Sequence, residues 1–267
     1  MVDAGETPDR VKGLFDGLSP YFDAYLATFG AQVYACVTWQ HLRQFIPNDD
    51  AAIILDAGGG TGKWALPLAR MGRHIVLCDL SVGMLRQAQA KVRREGLTTK
   101  VSIVEADITS LPIADEQFDC VICEDGPLSI AGPDRALPEL VRVLKKGGGL
   151  WAAVIGRYAV ALGQAANDAR AALRLARGET SYGHHAGTRS RVFAPQELAA
   201  LFEANGVEVL NLYANGIVTR LLSRETLTST EYDDELFSSV SQLELLLSEE
   251  PSLLGMGQYV QIAGRKR

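Results

Sequence analysis

The sequence predicts an α/β protein built on a mostly parallel sheet. Three observations carry this. From residue 52 on, short β-rich runs alternate with stretches of helical period, the pattern of βαβ units. A glycine cluster, Gly58-Gly59-Gly60-Thr61-Gly62, directly follows the first run. Acidic residues stand at or just after the ends of the first four runs: Asp56, Asp79, Asp107 and the pair Glu124-Asp125.

The elements follow in order. Ile53-Ile54-Leu55-Asp56 is the first strand, and a helix runs from the glycines through Met71. The second strand is His74 to Asp79, after which Ser81 is placed to cap a helix reaching about Glu95. Val101 to Glu105 and Phe118 to Cys123 are the third and fourth strands. A helix from about Leu137 to Lys146 has Pro138 near its first turn, lysines in its last and Gly147 beyond. Leu150 to Ile155 is the fifth strand. Residues 157–177 are Ala-rich and helical, whereas 178–191 form a polar loop with His184-His185. A proline-led helix from Pro195, a strand over 207–210, a helical insertion over about 231–249 and a last strand at Tyr259 to Ile262 complete the pattern. Four segments result: a helical cap (1–50, helical over 7–46), a core (51–156), a helical lid insertion (157–193) and a C-terminal part that completes the sheet (194–267). The glycines of the polar loop mark 157–191 as a mobile lid over a ligand.

Composition bounds the function. Among 267 residues, 47% are hydrophobic and 22% charged, enough for a sizeable core. The net charge of −6 disfavours nucleic acid, whose phosphates demand a basic surface. The acidic start, Met1-Val2-Asp3-Ala4-Gly5-Glu6, lacks the apolar core of a signal peptide, and Arg157 interrupts the apolar stretch from Leu150 to Gly163. Cys36, Cys78, Cys120 and Cys123 are scattered through apolar surroundings, which suits a reducing cytoplasm. Cys120-x-x-Cys123 lies on a strand, where positions three apart face opposite ways, so no metal site is expected.

A glycine-rich turn between strand and helix lets a ligand approach the backbone. A nicotinamide or flavin cofactor would set a diphosphate there and be repelled by neighbouring acids. A ligand carrying a sulfonium and an ammonium is instead attracted by them. Crevices of open α/β sheets lie beyond the carboxyl ends of the strands, where these acids fall.

Leu55-Asp56-Ala57-Gly58-Gly59-Gly60-Thr61-Gly62 resembles the first motif of class I S-adenosylmethionine-dependent methyltransferases. Asp79-Leu80-Ser81 with Met84-Leu85 resembles their second, Glu105-Ala106-Asp107-Ile108 their third, and Leu111 to Asp119 the approach to their fourth. Arg142-Val143-Leu144-Lys145-Lys146-Gly147-Gly148 is similar to the turn before their fifth strand, with Lys146 where a proline is usual. The resemblance spans about residues 52–156. It implies a Rossmann-like, seven-stranded sheet and S-adenosyl-L-methionine as cofactor. It further implies that Asp56 and Gly58, Gly60 and Gly62 hold the methionine part, that Asp79 takes the ribose hydroxyls, that Leu80 and Met84 flank adenine, and that Asp107 with Ile108 meets the adenine edge. Glu124 and an aromatic of the cap, Tyr21, are the remaining cofactor candidates, the segments Phe15-Asp16 and Tyr21-Phe22-Asp23 being similar to the cap of small-molecule members. Gly59 reads as filler, and Glu105 and Asp119 as structural.

Glu124-Asp125-Gly126-Pro127-Leu128 lacks the Asn/Asp-Pro-Pro-aromatic motif of enzymes that methylate exocyclic amino groups of nucleic acids, and no Pro-Cys stands there. A small-molecule acceptor is the expected substrate, with no nucleic acid and no membrane as partner. Asp125 and His185 (or its neighbour His184) are the candidates for acceptor chemistry. A nicotinamide-dependent oxidoreductase, and a regulatory or scaffold protein that keeps the cofactor site, are the alternative readings.

Overall fold

A computed structural model describes residues 7–179, 182–185 and 187–267; for Tyr182, His184 and His185 it describes the backbone. Two helices lead the chain, α1 (Pro8–Leu26) and α2 (Phe29–Leu42). They are followed by β1 (Ile53–Ala57), α3 (Ala65–Arg70), β2 (His74–Asp79), α4 (Val82–Arg94), β3 (Val101–Glu105) and β4 (Phe118–Cys123). Next come α5 (Pro127–Ala131), α6 (Pro133–Val143), β5 (Leu144–Gly156), α7 (Arg157–Ala165) and α8 (Ala169–Ala176). The chain finishes with β6 (Tyr182–His185), β7 (Thr188–Phe193), α9 (Pro195–Ala204), β8 (Val207–Asn215), α10 (Arg224–Thr228), α11 (Asp234–Ser248) and β9 (Tyr259–Lys266).

Strands β3-β2-β1-β4-β5 are parallel, and β9 and then β8 extend the sheet antiparallel beyond β5. Those seven strands are the expected sheet. Two more are not: the stretch expected to be a polar loop folds as the hairpin β6–β7. Where β4 has ended, β7 pairs in parallel with Ile155 and Gly156 on β5. The other edge of Ile155 is already taken by Tyr259, so the hairpin continues the line of β4 above its end. Alternating Thr188, Ser190 and Val192 are buried there, a period-2 pattern hidden in the sequence by hydroxyl side chains.

Local chemistry explains most boundaries. Ser81 caps α4 by accepting from the Met84 N–H, as its position predicts. Helix α6 starts earlier than expected because Pro133, not Pro138, is its first-turn proline. It also stops earlier, at Val143, since Leu144 already pairs with Phe118; residues 145–148 bulge out before Gly149 meets Cys120. Two apolar layers sandwich the sheet. Leu55, Val121 and Val154 face one, while Ile54, Ile122 and Trp151 face the other. Cys123 and Cys120 fall in opposite layers, as their spacing requires.

One buried carboxylate fixes the segment after β8. Glu244 of α11, wholly inaccessible, accepts from the backbone N–H groups of Ile217, Val218 and Thr219 at 2.5, 2.7 and 3.2 Å. Without it these donors lose their acceptor inside the protein. We expect Glu244→Ala to lower the unfolding free energy by about 3–5 kcal/mol in urea titrations. A loss below about 1 kcal/mol would mean that residues 217–219 are held by something else.

Candidate active site

The cleft lies beyond the carboxyl ends of β1 to β4, with about 690 Å³ of space that is open to solvent. Its floor is the turn after β1. The N–H groups of Gly58 and Gly59 donate to the Cys78 carbonyl at 2.8 and 3.0 Å, tying the turn to β2. Gly58, Gly60 and Gly62 have φ of 75°, 54° and 89°, a conformation costly for other residues. Gly58 and Gly60 face the cleft; Gly62 sits behind them, against Leu66 and Leu77. Gly59 is not filler: a Cβ there would stand 2.7 Å from the Asp56 carboxyl carbon.

The acids divide by direction. Asp79 and Asp107 line the cleft with Leu80, Met84 and Ile108. Asp79 accepts from the Gly60 and Ser81 N–H groups at 2.9 and 2.8 Å, and Asp107 from Thr109 at 2.8 Å. Burial pushes the Asp79 carboxyl above its usual range despite those N–H groups. Asp56 does not reach the cleft. It lies buried beneath the glycines and accepts from the Ala65 N–H at 3.1 Å, bracing the start of α3. Glu124 likewise turns inward, where Tyr34, Trp151 (2.5 Å) and Gln261 (2.7 Å) donate to it. Of the two acids read as structural, Asp119 pairs with Lys145 and accepts from the Ile53 N–H, and Glu105 takes Lys12.

Helix α1 roofs the cleft. Val11, Phe15 and Phe22 line it, the last two seven residues apart and therefore on one face. Tyr21 is rotated about 100° from Phe22 and points to solvent, 73% exposed, so Phe22 takes the place expected of it. Polar bonds hold the roof. Asp16 accepts from the Ser81 hydroxyl (2.6 Å) and the Gly83 N–H (2.7 Å), and the Ser81 bond foremost keeps its carboxyl below the usual range. Asp23 accepts from Thr61 (2.7 Å) and Lys91 (2.8 Å). Burial alone would raise Asp23, but those two donors outweigh it and hold it low.

A second cavity of about 760 Å³ adjoins the first. Tyr25, Tyr34 and Tyr259 line it, together with Lys63 and Arg220. Asp125 stands in the walls of both cavities. Its backbone is left-handed, φ 65°, a state that Asp tolerates better than most residues. The carboxylate accepts from Lys63 Nζ at 2.9 and 3.2 Å and from Trp64 Nε1 at 3.3 Å. Lys63 Nζ also sits 4.5 Å from the centre of the Tyr34 ring, a cation–π distance. The sequence signal for Lys63 is a cation directly after an otherwise acid-lined glycine turn. Arg220 gives no such signal, since its place depends on the Glu244 anchor. The side chains of His184 and His185 lie outside the described residues; their backbones pair with Arg189 and Thr188. No described residue of 157–193 lines either cavity. That segment instead stands behind the second one, the Ala159 carbonyl accepting from Arg220 at 3.1 Å.

Residues 54–148, which carry the glycine turn and all five acids, match the methyltransferase domain family. The chain carries a methyltransferase domain over these residues. The cofactor of the domain is S-adenosyl-L-methionine. Among curated relatives, the demethylmenaquinone methyltransferase of Bacteroides fragilis is 31% identical over 153 residues, 55% of this chain and 60% of that protein. The ubiquinone/menaquinone biosynthesis C-methyltransferase UbiE of Pectobacterium carotovorum is 35% identical over 100 residues, 36% of this chain and 40% of that one. The chain thus spans at most 60% of the length of these two relatives. The fold extends further. The [4+2]-cyclase SpnF superposes with a TM-score of 0.65 at 20% identity, over 98% of this chain and 97% of its own. A possible histamine N-methyltransferase from Thermotoga maritima gives 0.61 at 18% identity, over 96% and 99%. Tyr25, Tyr34, Arg220 and Tyr259 of the second cavity all lie outside the matched 54–148.

Burial pushes the Asp56 carboxyl up to about 7, against the pull of the Ala65 N–H. In the unfolded chain it titrates near 4. A folded value above the unfolded one costs stability as the pH rises between the two. Asp56→Asn keeps an acceptor for Ala65 and removes that titration. We therefore expect the parent to lose more than about 1 kcal/mol relative to the variant between pH 5 and pH 8. Parallel urea-unfolding profiles would show that Asp56 stays ionised in the folded protein.

Proposed function

We propose that this chain transfers the methyl group of S-adenosylmethionine to a small-molecule acceptor. The observation that carries the reading is the glycine turn facing two acids, Asp79 and Asp107, at the ends of neighbouring strands in one roofed cleft. A cation with hydroxyl and amino donors fits that set, and a diphosphate does not.

The roles follow from acceptor capacity. A carboxylate offers about four lone-pair sites. Asp79 accepts from Gly60 and Ser81 and still lines the cleft, where it meets the ribose hydroxyls. Asp107 keeps its second oxygen for the adenine amino group, with Leu80, Met84 and Ile108 against the base. Asp56 and Gly62 support the site from behind, and Phe15 and Phe22 exclude water above it. S-adenosylmethionine supplies an electrophilic methyl group on a sulfonium. In the overall transfer the acceptor atom gains the methyl carbon, the sulfur–carbon electron pair stays on sulfur, and the acceptor gives up a proton. Asp125, at the junction of the two cavities, takes that proton, while the Lys63 bonds hold its carboxylate in place.

Titration calorimetry tests cofactor identity first. S-adenosylmethionine and S-adenosylhomocysteine bind in the micromolar range and NAD does not; the reverse result would end the methyltransferase reading. Asp79→Ala loses charge-assisted bonds of about 1.5–3 kcal/mol each and so binds S-adenosylhomocysteine at least about tenfold more weakly. Equal affinity would mean that the ribose lies elsewhere.

A further inference from the structure

The second cavity carries an imbalance of charge. Lys63 is neutralised by Asp125, but Arg220 has no such partner. Its guanidinium donates to two carbonyl oxygens, Met256 at 3.2 Å and Ala159 at 3.1 Å. No carboxylate lies within ion-pair distance of it among the described residues. Two of five N–H donors are used, and the cavity keeps one net positive charge. The two carbonyls fix the plane of the guanidinium, and the Glu244 anchor fixes the neighbouring Thr219 backbone. A pre-positioned guanidinium with spare donors in a cavity wall is the usual receptor for a carboxylate, which it binds through two parallel bonds.

The rest of the wall is aromatic. The Tyr34 and Tyr259 rings meet edge to face at 5.0 Å, and Tyr34 spends its hydroxyl on buried Glu124, leaving the ring to face the cavity. Tyr25 adds a third ring from α1. Such rings suit a flat apolar body. The cofactor cleft, with Asp79 and Asp107, prefers the opposite charge, so the two compartments sort a cation from an anion.

We propose that the second cavity is the acceptor site and that its acceptor is an aromatic carboxylate. The carboxylate binds Arg220, the ring lies among the three tyrosines, and the atom to be methylated reaches Asp125. This rests on the methyltransferase reading above. It assigns the acceptor class to residues that lie outside the matched domain.

The test uses the full chain saturated with S-adenosylhomocysteine and two probes of one shape, 4-hydroxyphenylacetate and its neutral amide, 4-hydroxyphenylacetamide. In titration calorimetry the acid binds the parent at least tenfold more tightly than the amide. Arg220→Gln abolishes the preference, while Arg220→Lys, which keeps the charge, retains part of it. Both variants bind S-adenosylhomocysteine within about twofold of the parent, which shows that the fold and the cofactor cleft are intact. An acid that binds no better than the amide, or not at all, overturns the proposal, as does a preference that survives in Arg220→Gln. A parent that fails to bind S-adenosylhomocysteine strikes the methyltransferase reading instead, and that is seen before either probe is added.

Discussion

A carboxylate removed from water must find donors, and that requirement sorts the acids at the strand ends of this protein. Asp56 finds the Ala65 N–H, and Glu124 finds a phenol, an indole and an amide. Both are consumed as internal supports, one beneath the glycine turn and one beneath the second cavity. Because these two turn inward, Asp79, Asp107 and Asp125 stand alone at the cleft. The glycine turn depends on the same division: Gly59 has no room for a side chain because the Asp56 carboxyl group fills the space below it.

The buried acids also tie the second cavity to the sheet. Glu124 carries the Tyr34 hydroxyl, and Tyr34 in turn offers its ring to Lys63. Glu244 performs the matching service on the far wall by gathering three backbone N–H groups ahead of Arg220. Lys63 and Asp125, by contrast, come from the two turns that follow β1 and β4. The first cleft therefore takes its floor from strand ends close in sequence and its roof from α1, whereas the second cavity joins Lys63 and Asp125 to residues from both ends of the chain.

That difference explains what the sequence made legible. The parallel sheet and its first five strands follow from local rules of spacing and strand termini, and the motifs that resemble the methyltransferase family pointed to Gly58, Gly60, Asp79, Leu80, Met84, Asp107 and Ile108, which line the cleft. Those rules fix position along the chain but not side-chain direction, which is why Asp56, Glu124 and Tyr21 were expected in a cleft they do not face. Strand β7 was hidden because its buried residues include Thr188 and Ser190, which bond to each other and so look polar. The expectation of a lid over 157–193 rested on its glycines, yet the walls come from α1, α2 and the segment after β8. Nothing local marks that segment, because its shape is set by Glu244, more than 20 residues away in sequence.

Helix α1 is attached to the domain by bonds rather than by a core. Ser19 is its only buried residue, and its fastenings are Asp16 to Ser81 and Gly83, Asp23 to Thr61 and Lys91, and Lys12 to Glu105. Half-exposed polar ties of this kind contribute little each, so α1 is among the elements that open most easily. It is also a wall held in common, covering the cofactor cleft through Phe15 and Phe22 and reaching the second cavity through Tyr25. One helix is thus a wall of two cavities, so any opening of α1 uncovers both at once.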